Sequence, residues 1–419
     1  MHNTFTPSPK AVRSARYQFL LVGLLSLNFG IVFFDRNALG FLMPFIQPDL
    51  QLNNTQVGIL ASALSFTWAL AAFGIGKLSD TIGNRKLLLV LSTIAFSLCS
   101  FLSGIAGSFA LLLGARLLMG AAEGGIMPIS HAMVASEVAP ERLGLAQGVA
   151  QNFGSNLLGS FVAPVLLVGF ATAYGWREAF FLAGIPGILT ALLIWWLIDE
   201  PKAPAAAKAE APKVSVVSVL LERNVLICVS LSVLLVSYLV VCWVFMPLYL
   251  TQVRGISPDG MGWLMGTLGI SATIGAFVVS GLSDRIGRRP VMIVMPLLGL
   301  LLPLGALYYQ GSLWMLAVFF FFGWGLNGIF PLFMATVPTE SVDPRYVATA
   351  LGLTMGTGEV LGGVLAPSLA GMAADAAGLT APLWIMVGLT VVATITALFL
   401  RETAPSQVRK AATSAAATA

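Results

Sequence analysis

The chain has 419 residues, of which 58% are hydrophobic and 10% charged, and its mean hydropathy is +0.91. A soluble domain carries about 25% charged residues, so the composition excludes an ordinary water-soluble fold and indicates helices that cross hydrocarbon. Secreted, fibrous and nucleic-acid-binding classes are excluded on the same ground, and the net charge of +4 is small. All three cysteines lie in apolar runs, so neither a disulfide framework nor a zinc cluster is expected.

Twelve apolar runs predict twelve transmembrane helices. They are too long and too uniformly apolar to be buried strands. The first run lacks a small-residue cleavage site, so we expect a retained helix and not a signal peptide. In chain order the predicted spans are 17–43, 56–76, 87–106, 108–133, 144–170, 179–198, 225–250, 261–281, 291–309, 313–335, 347–372 and 381–400.

The basic residues predict the orientation of the chain. Of the 22 Lys and Arg residues, 18 fall on the side of both termini, two on the opposite side and two within spans. Basic loops stay on the cytoplasmic side of a membrane. We therefore expect both termini to be cytoplasmic.

Composition also divides the chain. The longest interior break, residues 199–224, is rich in Pro, Ala and Lys and separates six spans from six. We expect a cytoplasmic tail (1–16), a six-helix bundle (17–198), a cytoplasmic linker (199–224), a second six-helix bundle (225–402) and a disordered cytoplasmic tail (403–419).

The two bundles are repeats. The second span ends in GKLSDTIGNRK (76–86) and the eighth in SGLSDRIGRRP (280–290), and their identical residues are 204 positions apart. Glycines in spans five and eleven share that offset, and an offset of 203 relates spans four and ten. Parallel halves of this kind are typical of a transporter that rocks about a site between them.

Twelve spans in two halves, with GxxxDxxG and basic residues after the second span, resemble the major facilitator superfamily over residues 15–402. The resemblance implies a fold of two pseudo-symmetric six-helix halves. Acidic and basic residues of the doubled loop can form ion pairs that hold one conformation and break in the other; the alternative is that they only anchor the loops and set topology. The gate candidates are Asp80, Arg85, Asp284, Arg288 and Arg289.

Ionisable residues within spans are candidates for function, because each costs about 2.5–3.5 kcal/mol to insert. Those predicted here are Asp35, Arg36, Arg116, Glu123, His131 and Glu359. Arg116 and Glu123 are seven residues apart, so they share one helix face about 10 Å apart along the axis. Arg36 lies at a depth similar to that of Arg116.

An arginine and a carboxyl group in one cavity can bind an anion and a proton. Arginine presents a charged planar fork to a carboxylate, and a carboxyl group in a low-dielectric cavity can exchange a proton near neutrality. The alternative is a structural cluster of salt bridges, Asp35–Arg116 or Arg36–Glu123. The repeat counterparts of Arg116 and Glu123 are Phe319 and Leu326, which favours function over packing.

Two segments, FFDRNALGF (33–41) and GARLLMGAAEGGIMPISHAMV (114–134), resemble the anion:cation symporter family of that superfamily. The resemblance implies that Arg36 binds the substrate carboxylate and that Asp35 and Glu123 are proton-linked. Arg116 would match the family's arginine that lies on the same helix face as the position of Glu123. His131 matches a histidine of the vesicular branch, with a structural role as the alternative.

Other positions complete the predicted site. A polar stripe in span five includes Asn152 and Ser155, and Glu359 is the partner of Ser155 at the 204 offset. The family has neutral polar groups there, so Glu359 could carry a second proton or contact a hydroxyl or amino group. Trp68 replaces a cavity tyrosine of similar transporters, and Tyr238 lies near their helix-breaking segment. Lipid-facing or core packing is the alternative for both aromatic residues.

These features predict a proton-coupled symporter for an organic carboxylate, such as a sugar acid or an aromatic acid. The alternative is a proton-driven efflux antiporter of drugs or metabolites, although span five lacks the Gly-Pro pattern common in antiporters. A transporter-like receptor would usually carry long signalling domains. We expect no enzymatic activity, metal or cofactor other than the coupling proton, no nucleic-acid partner and a monomer in the bilayer.

Overall fold

The structure, a computed structural model, describes residues 14–82, 84–139, 142–201, 216–343, 346–405 and 407, without the side chains of residues 73, 77, 80–82 and 348. Twelve helices within these ranges are long and apolar enough to cross a membrane, which confirms the predicted all-helical fold. Labelled α1 to α12 in chain order, they are Ala15–Asp49, Asn54–Ile82, Arg85–Gly104, Phe109–Glu137, Leu145–Tyr174, Trp176–Leu197, Arg223–Val253, Pro258–Ile286, Arg288–Tyr308, Leu313–Ser341, Thr349–Ala377 and Thr380–Leu398.

Some boundaries differ from the prediction. Helix α1 continues to Asp49 through Pro44 and Pro48, whereas the predicted span stops before the first proline. Neighbouring helices can satisfy the backbone groups that a proline frees inside a membrane protein. A short helix, Val216–Leu220, lies within the predicted linker. Residues 202–215 of that linker, and almost all of both predicted tails, lie outside the described residues.

Local sequence explains where several helices begin. The side chains of Asn84, Ser108 and Ser312 each accept a hydrogen bond from a backbone N–H in the first turn that follows. Gly287 alone joins α8 to α9, with φ of +111°. That conformation is strained for any residue with a Cβ, which gives a physical reason for the glycine of this loop motif.

Each half is closed by a glutamate that follows its last helix. Glu200, after α6, accepts hydrogen bonds from the backbone N–H groups of Arg85 (2.7 Å) and Lys86 (2.8 Å) at the start of α3. Glu402, after α12, accepts from Arg288 (2.8 Å) and Arg289 (3.0 Å) at the start of α9. A carboxylate at a helix N-terminus satisfies free donors and complements the helix dipole.

The halves approach closely where small residues face each other. A Cβ on Gly58 of α2 would collide with the carbonyl oxygen of Pro367 in α11, and one on Gly269 of α8 would collide with the backbone of Ser160 in α5. We call the side where α1 begins and α12 ends the terminal face, and the other side the distal face. These contacts run from the distal face to the middle of the helices.

Hydrogen bonds also join the halves near the distal face. Asp375 of α11 accepts from the backbone N–H groups of Asn54 (2.9 Å) and Thr55 (2.8 Å), and from the Thr55 hydroxyl (2.6 Å). Deeper along the same pair of helices, the Ser62 and Ser368 hydroxyls are 2.8 Å apart. The carboxylate of one half therefore caps the first turn of a helix of the other half.

We expect Asp375→Ala to loosen the distal closure, because it leaves the first turn of α2 without this cap. An exposed hydrogen-bond cluster contributes about 1 kcal/mol, or roughly fivefold in a conformational equilibrium. The measurement is the distance distribution between spin labels on the α1–α2 and α11–α12 loops. Asp259→Ala, an exposed acid at the start of α8, is the control. An unchanged distribution in Asp375→Ala would contradict the role of this cap.

Candidate functional site

A cavity of about 530 Å³ lies between the two halves. Its walls are formed by α1, α2, α4 and α5 of the first half and by α7, α8, α10 and α11 of the second. This volume is in the range of small-molecule sites. The cavity therefore lies where the repeat predicts a substrate site.

Arg36 of α1 lines this cavity and is partly exposed to it. Its guanidinium carbon is 5.4 Å from the centroid of the Trp68 ring and 5.7 Å from that of Phe33. These cation–π contacts orient the guanidinium group without consuming its N–H donors. Among the described residues no hydrogen bond to these donors is found. Trp68 lines the cavity as well, beside Arg36.

Arg116, Asp35 and Glu123 form a second, fully enclosed group of charges. Arg116 and Asp35 are 0% exposed and Glu123 is 1% exposed. Nη2 of Arg116 donates to the Ser103 hydroxyl (2.8 Å), and Oδ1 of Asp35 accepts from the Ser100 hydroxyl (2.7 Å). The three are near enough to interact electrostatically. Arg116 and Glu123 line the cavity, whereas Asp35 lies behind it.

Within the described part of the chain, several hydrogen-bonding atoms of this charged group have no partner. They are both carboxylate oxygens of Glu123, Oδ2 of Asp35, and Nε and Nη1 of Arg116. Neither alternative salt bridge, Asp35–Arg116 or Arg36–Glu123, is therefore present as a hydrogen-bonded pair. Unpaired buried charge is unfavourable, so these atoms require a proton, water or a ligand.

The fifth and eleventh helices carry matching irregular segments beside the cavity. Both contain a π-helical stretch, Ser155–Val162 and Gly358–Leu365. Such stretches are frequent at functional sites. Asn152 and Ser155 line the cavity from α5, and the Ser155 hydroxyl donates to the carbonyl oxygen of Gln151 (2.8 Å).

Glu359 lies in the π-helical stretch of α11 and lines the cavity from the second half. It is near enough to Arg36 to interact electrostatically, as is Glu123 from the first half. Arg36 therefore has one acidic residue of each half within electrostatic range. The sequence alone predicted the presence of Glu359 but not this proximity.

Besides Asp35, two residues predicted to bind substrate or to couple protons, Tyr238 and His131, lie outside the cavity lining. Tyr238 is 0% exposed and its hydroxyl donates to the carbonyl oxygen of Gly299 (2.9 Å). The stripe of α7 that lines the cavity is instead Val236, Leu239, Val240 and Trp243, at helical spacing. Tyr238 lies off that stripe and packs within its own half.

His131 of α4 is partly buried beside Gln151, and its Nε2 atom has no hydrogen-bond partner. It is not among the residues that line the cavity. Gln147 Nε2 donates to the carbonyl oxygen of His131 (3.0 Å), so this part of α4 is tied to α5.

The predicted gate residues of the second half form one cluster at the terminal face. Arg288 pairs with Asp284 (2.5 Å) on α8 and with Glu340 (3.1 Å) on α10, and also donates to Ser283. Arg289 donates to the carbonyl oxygen of Leu398 (2.9 Å). These contacts are all within the second half. In the first half, the backbone of Arg85 contacts Glu200 as described above, and the side chain of Asp80 lies outside the described residues.

Sequence reasoning missed several residues. Glu200 and Glu402 both follow the last helix of their half, 202 positions apart, so the repeat could have revealed them. Glu340 was visible only as the repeat partner of Glu137. Asp375 gave no local signal, because its contacts lie on a helix more than 300 positions away.

Comparison with known proteins supports the same architecture. Nearly the whole chain matches the family model of the Major Facilitator Superfamily, over residues 25–245 and 239–418. The 3-(3-hydroxy-phenyl)propionate transporter of Escherichia coli is 29% identical over 387 residues, which cover 88% of this chain and 89% of that protein. The hexuronate transporter of Bacillus subtilis is 30% identical over 277 residues, which cover 62% and 64% of the two proteins.

A solved structure has the same fold. It is a bacterial homolog of the human lysosomal transporter Spinster, in an inward-facing and occupied conformation. The TM-score is 0.76 at 21% identity, and the match covers 92% of this chain and 97% of that chain.

We expect Arg116→Leu to destabilise the protein, because it removes the cation beside Asp35 and one of the two cations near Glu123. Removing one member of a buried charged group costs about 3–5 kcal/mol. The loss should be larger at pH 8 than at pH 5, since protonated carboxyl groups need no counter-charge. Thermal unfolding of purified protein measures this, with Arg142→Leu, an exposed position, as control. A loss independent of pH would contradict the electrostatic explanation.

Proposed function

The chain belongs to the major facilitator superfamily of membrane transporters, and from that premise we propose that it takes up an organic carboxylate together with one or more protons. The observation that carries the proposal is Arg36, whose guanidinium group lines the cavity and makes no hydrogen bond to any residue that the structure describes. A planar cation with free donors is suited to a bidentate carboxylate. The positive-inside rule supports insertion in a bacterial cytoplasmic membrane with both termini in the cytoplasm.

Glu123 is the proposed proton carrier. It lines the same cavity, is 1% exposed, and has no hydrogen-bond partner on either carboxylate oxygen. Burial disfavours the charged form of a carboxyl group, whereas the nearby Arg36 and Arg116 favour it, so a change in these surroundings can bind or release the proton. Asp35, behind Arg116 and bonded to Ser100, is the second candidate for proton exchange.

Binding of the carboxylate at Arg36 and of the proton at Glu123 would be coupled by alternating access of the cavity to the two sides of the membrane. The contacts between the halves lie from the distal face to the middle of the helices, which corresponds to a carrier closed to the outside and accessible from the cytoplasm. Substrate and proton would enter when the distal contacts, including the Asp375 cap, are open. Release to the cytoplasm then leaves Glu123 free to lose its proton near Arg36 and Arg116. The monomer supplies every residue of this site.

Glu123→Gln should abolish accumulation driven by a proton gradient while leaving substrate exchange intact. Glutamine keeps the shape of the side chain but cannot release a proton. The measurement is uptake into proteoliposomes that are alkaline inside, with a panel of sugar acids, aromatic acids, dicarboxylates and sialic acid. Glu178→Gln, an exposed acid at the start of α6, is the matched control.

Gradient-driven accumulation that survives in Glu123→Gln would remove this residue from the coupling mechanism. Failure of every carboxylate in the panel would overturn the proposal as a whole. Counterflow of a hydrophobic cation, with no effect of carboxylates, would instead favour the efflux antiporter.

Arg36→Lys should weaken substrate binding severely, since lysine keeps the charge but loses the bidentate fork and the flat contact with Trp68. Hydrogen bonds to charged groups contribute about 1.5–3 kcal/mol each, so we expect a loss of roughly 10- to 100-fold in affinity. Competition for counterflow measures it, and Arg142→Lys is the control. Affinity close to that of the wild type would show that Arg36 does not hold the carboxylate.

A further inference from the structure

The two walls of the cavity differ in chemistry. The first half contributes most of its polar side chains, from Arg36, Arg116 and Glu123 to the amides and hydroxyls of α5. Among the described residues that line the second-half wall, only Asn327 and Glu359 are polar. Asn327 already donates its amide N–H to the carbonyl oxygen of Trp324 (3.0 Å). The cavity therefore has a polar wall, formed by the first half, and a mainly apolar wall, formed by the second half.

The centre of the apolar wall is a group of packed aromatic rings. Trp243 of α7 meets Trp324 of α10 edge-on, with centroids 5.2 Å apart, and meets Phe41 of α1 in the same way at 5.5 Å. Trp324 is 1% exposed, whereas Trp243 is partly exposed to the cavity. Because two neighbouring rings fix its position, Trp243 presents a preformed apolar surface to the cavity.

A polyhydroxylated acid would fit this arrangement poorly. With the carboxylate at Arg36, hydroxyl groups that lie against the second-half wall would lose water and find only Asn327 and Glu359 as polar partners among the described residues. A polar group that loses water without gaining a partner is unfavourable, so each such hydroxyl group lowers the affinity. An apolar ring meets no such penalty, and rings pack well against tryptophan.

Building on the proposed function, we propose that the substrate is a monocarboxylate with an apolar ring, in which the carboxylate binds Arg36 and the ring packs against Trp243. Glu359 and the side-chain carbonyl oxygen of Asn327 are the acceptor groups that the described part of this wall offers, so a hydroxyl on the ring can be accommodated. A second carboxylate on the ring would face Glu359 and be disfavoured. Trp243 is thus a specificity-determining residue.

The experiment compares carboxylates that share one anionic group and differ in the body. Benzoate, 3-phenylpropionate and cyclohexanecarboxylate are tested against gluconate and galacturonate, as competitors and as substrates in proteoliposome counterflow. We expect the ring acids to bind at least about tenfold more tightly, which is the scale of discrimination that apolar pockets achieve.

Trp243→Ala should reduce the affinity for ring acids by about tenfold or more, and Trp243→Phe should retain most of it. Trp314→Ala, with a side chain 86% exposed, is the matched control. Thermal unfolding of each variant identifies any variant that is misfolded. If Trp243→Ala does not fold, the affinity of Trp243→Phe for these acids is compared with that of the wild type instead.

The outcomes separate this inference from the proposed function. If gluconate or galacturonate is taken up and the acids with an apolar ring (benzoate, 3-phenylpropionate and cyclohexanecarboxylate) are not, the inference is overturned, whereas the proposed carboxylate symport is not. Unchanged affinity for ring acids in folded Trp243→Ala would overturn the role of the aromatic wall. Failure of all carboxylates would overturn both proposals.

Discussion

A charge within a hydrocarbon layer needs a partner, and this constraint governs the centre of the molecule. Arg116, Asp35 and Glu123 lie close together in one half, yet several of their polar atoms are not hydrogen-bonded to protein. A structural ion pair would satisfy those atoms permanently. Their lack of partners supports the proposal that the group binds protons or a ligand, because a purely structural cluster would satisfy them.

The two halves use one scaffold for different tasks. Small residues, loop motifs and the terminal glutamates recur in both, because they determine how six helices pack. The ions do not recur: Phe319 and Leu326 stand in the second half where the first has Arg116 and Glu123. One half therefore supplies charge and hydrogen bonds, and the other supplies apolar surface with a single opposing acid, Glu359.

The sequence predicted the number of helices, their pairing into repeats and the presence of the intramembrane charges. Those features depend on the length of apolar runs and on a constant offset, which need no three-dimensional information. It did not predict that Tyr238 packs within its own half, because every face of α7 is apolar and periodicity cannot identify the cavity side. Contacts such as Asp375 with α2 join distant segments, so no local pattern reveals them.

The glutamate caps have a consequence for how the chain is made. Glu200 fastens the end of α6 to the start of α3, so the first six helices hold every group needed to complete that closure. We therefore expect that a nascent chain whose first 201 residues have been synthesised can form its first bundle before α7 is made. We expect a half-chain ending there to resist proteolysis in the membrane; rapid digestion would mean that the second half is needed for folding. The equivalent cap by Glu402 joins the end of α12 to the start of α9, so it can form only after all six helices of the second bundle have been synthesised.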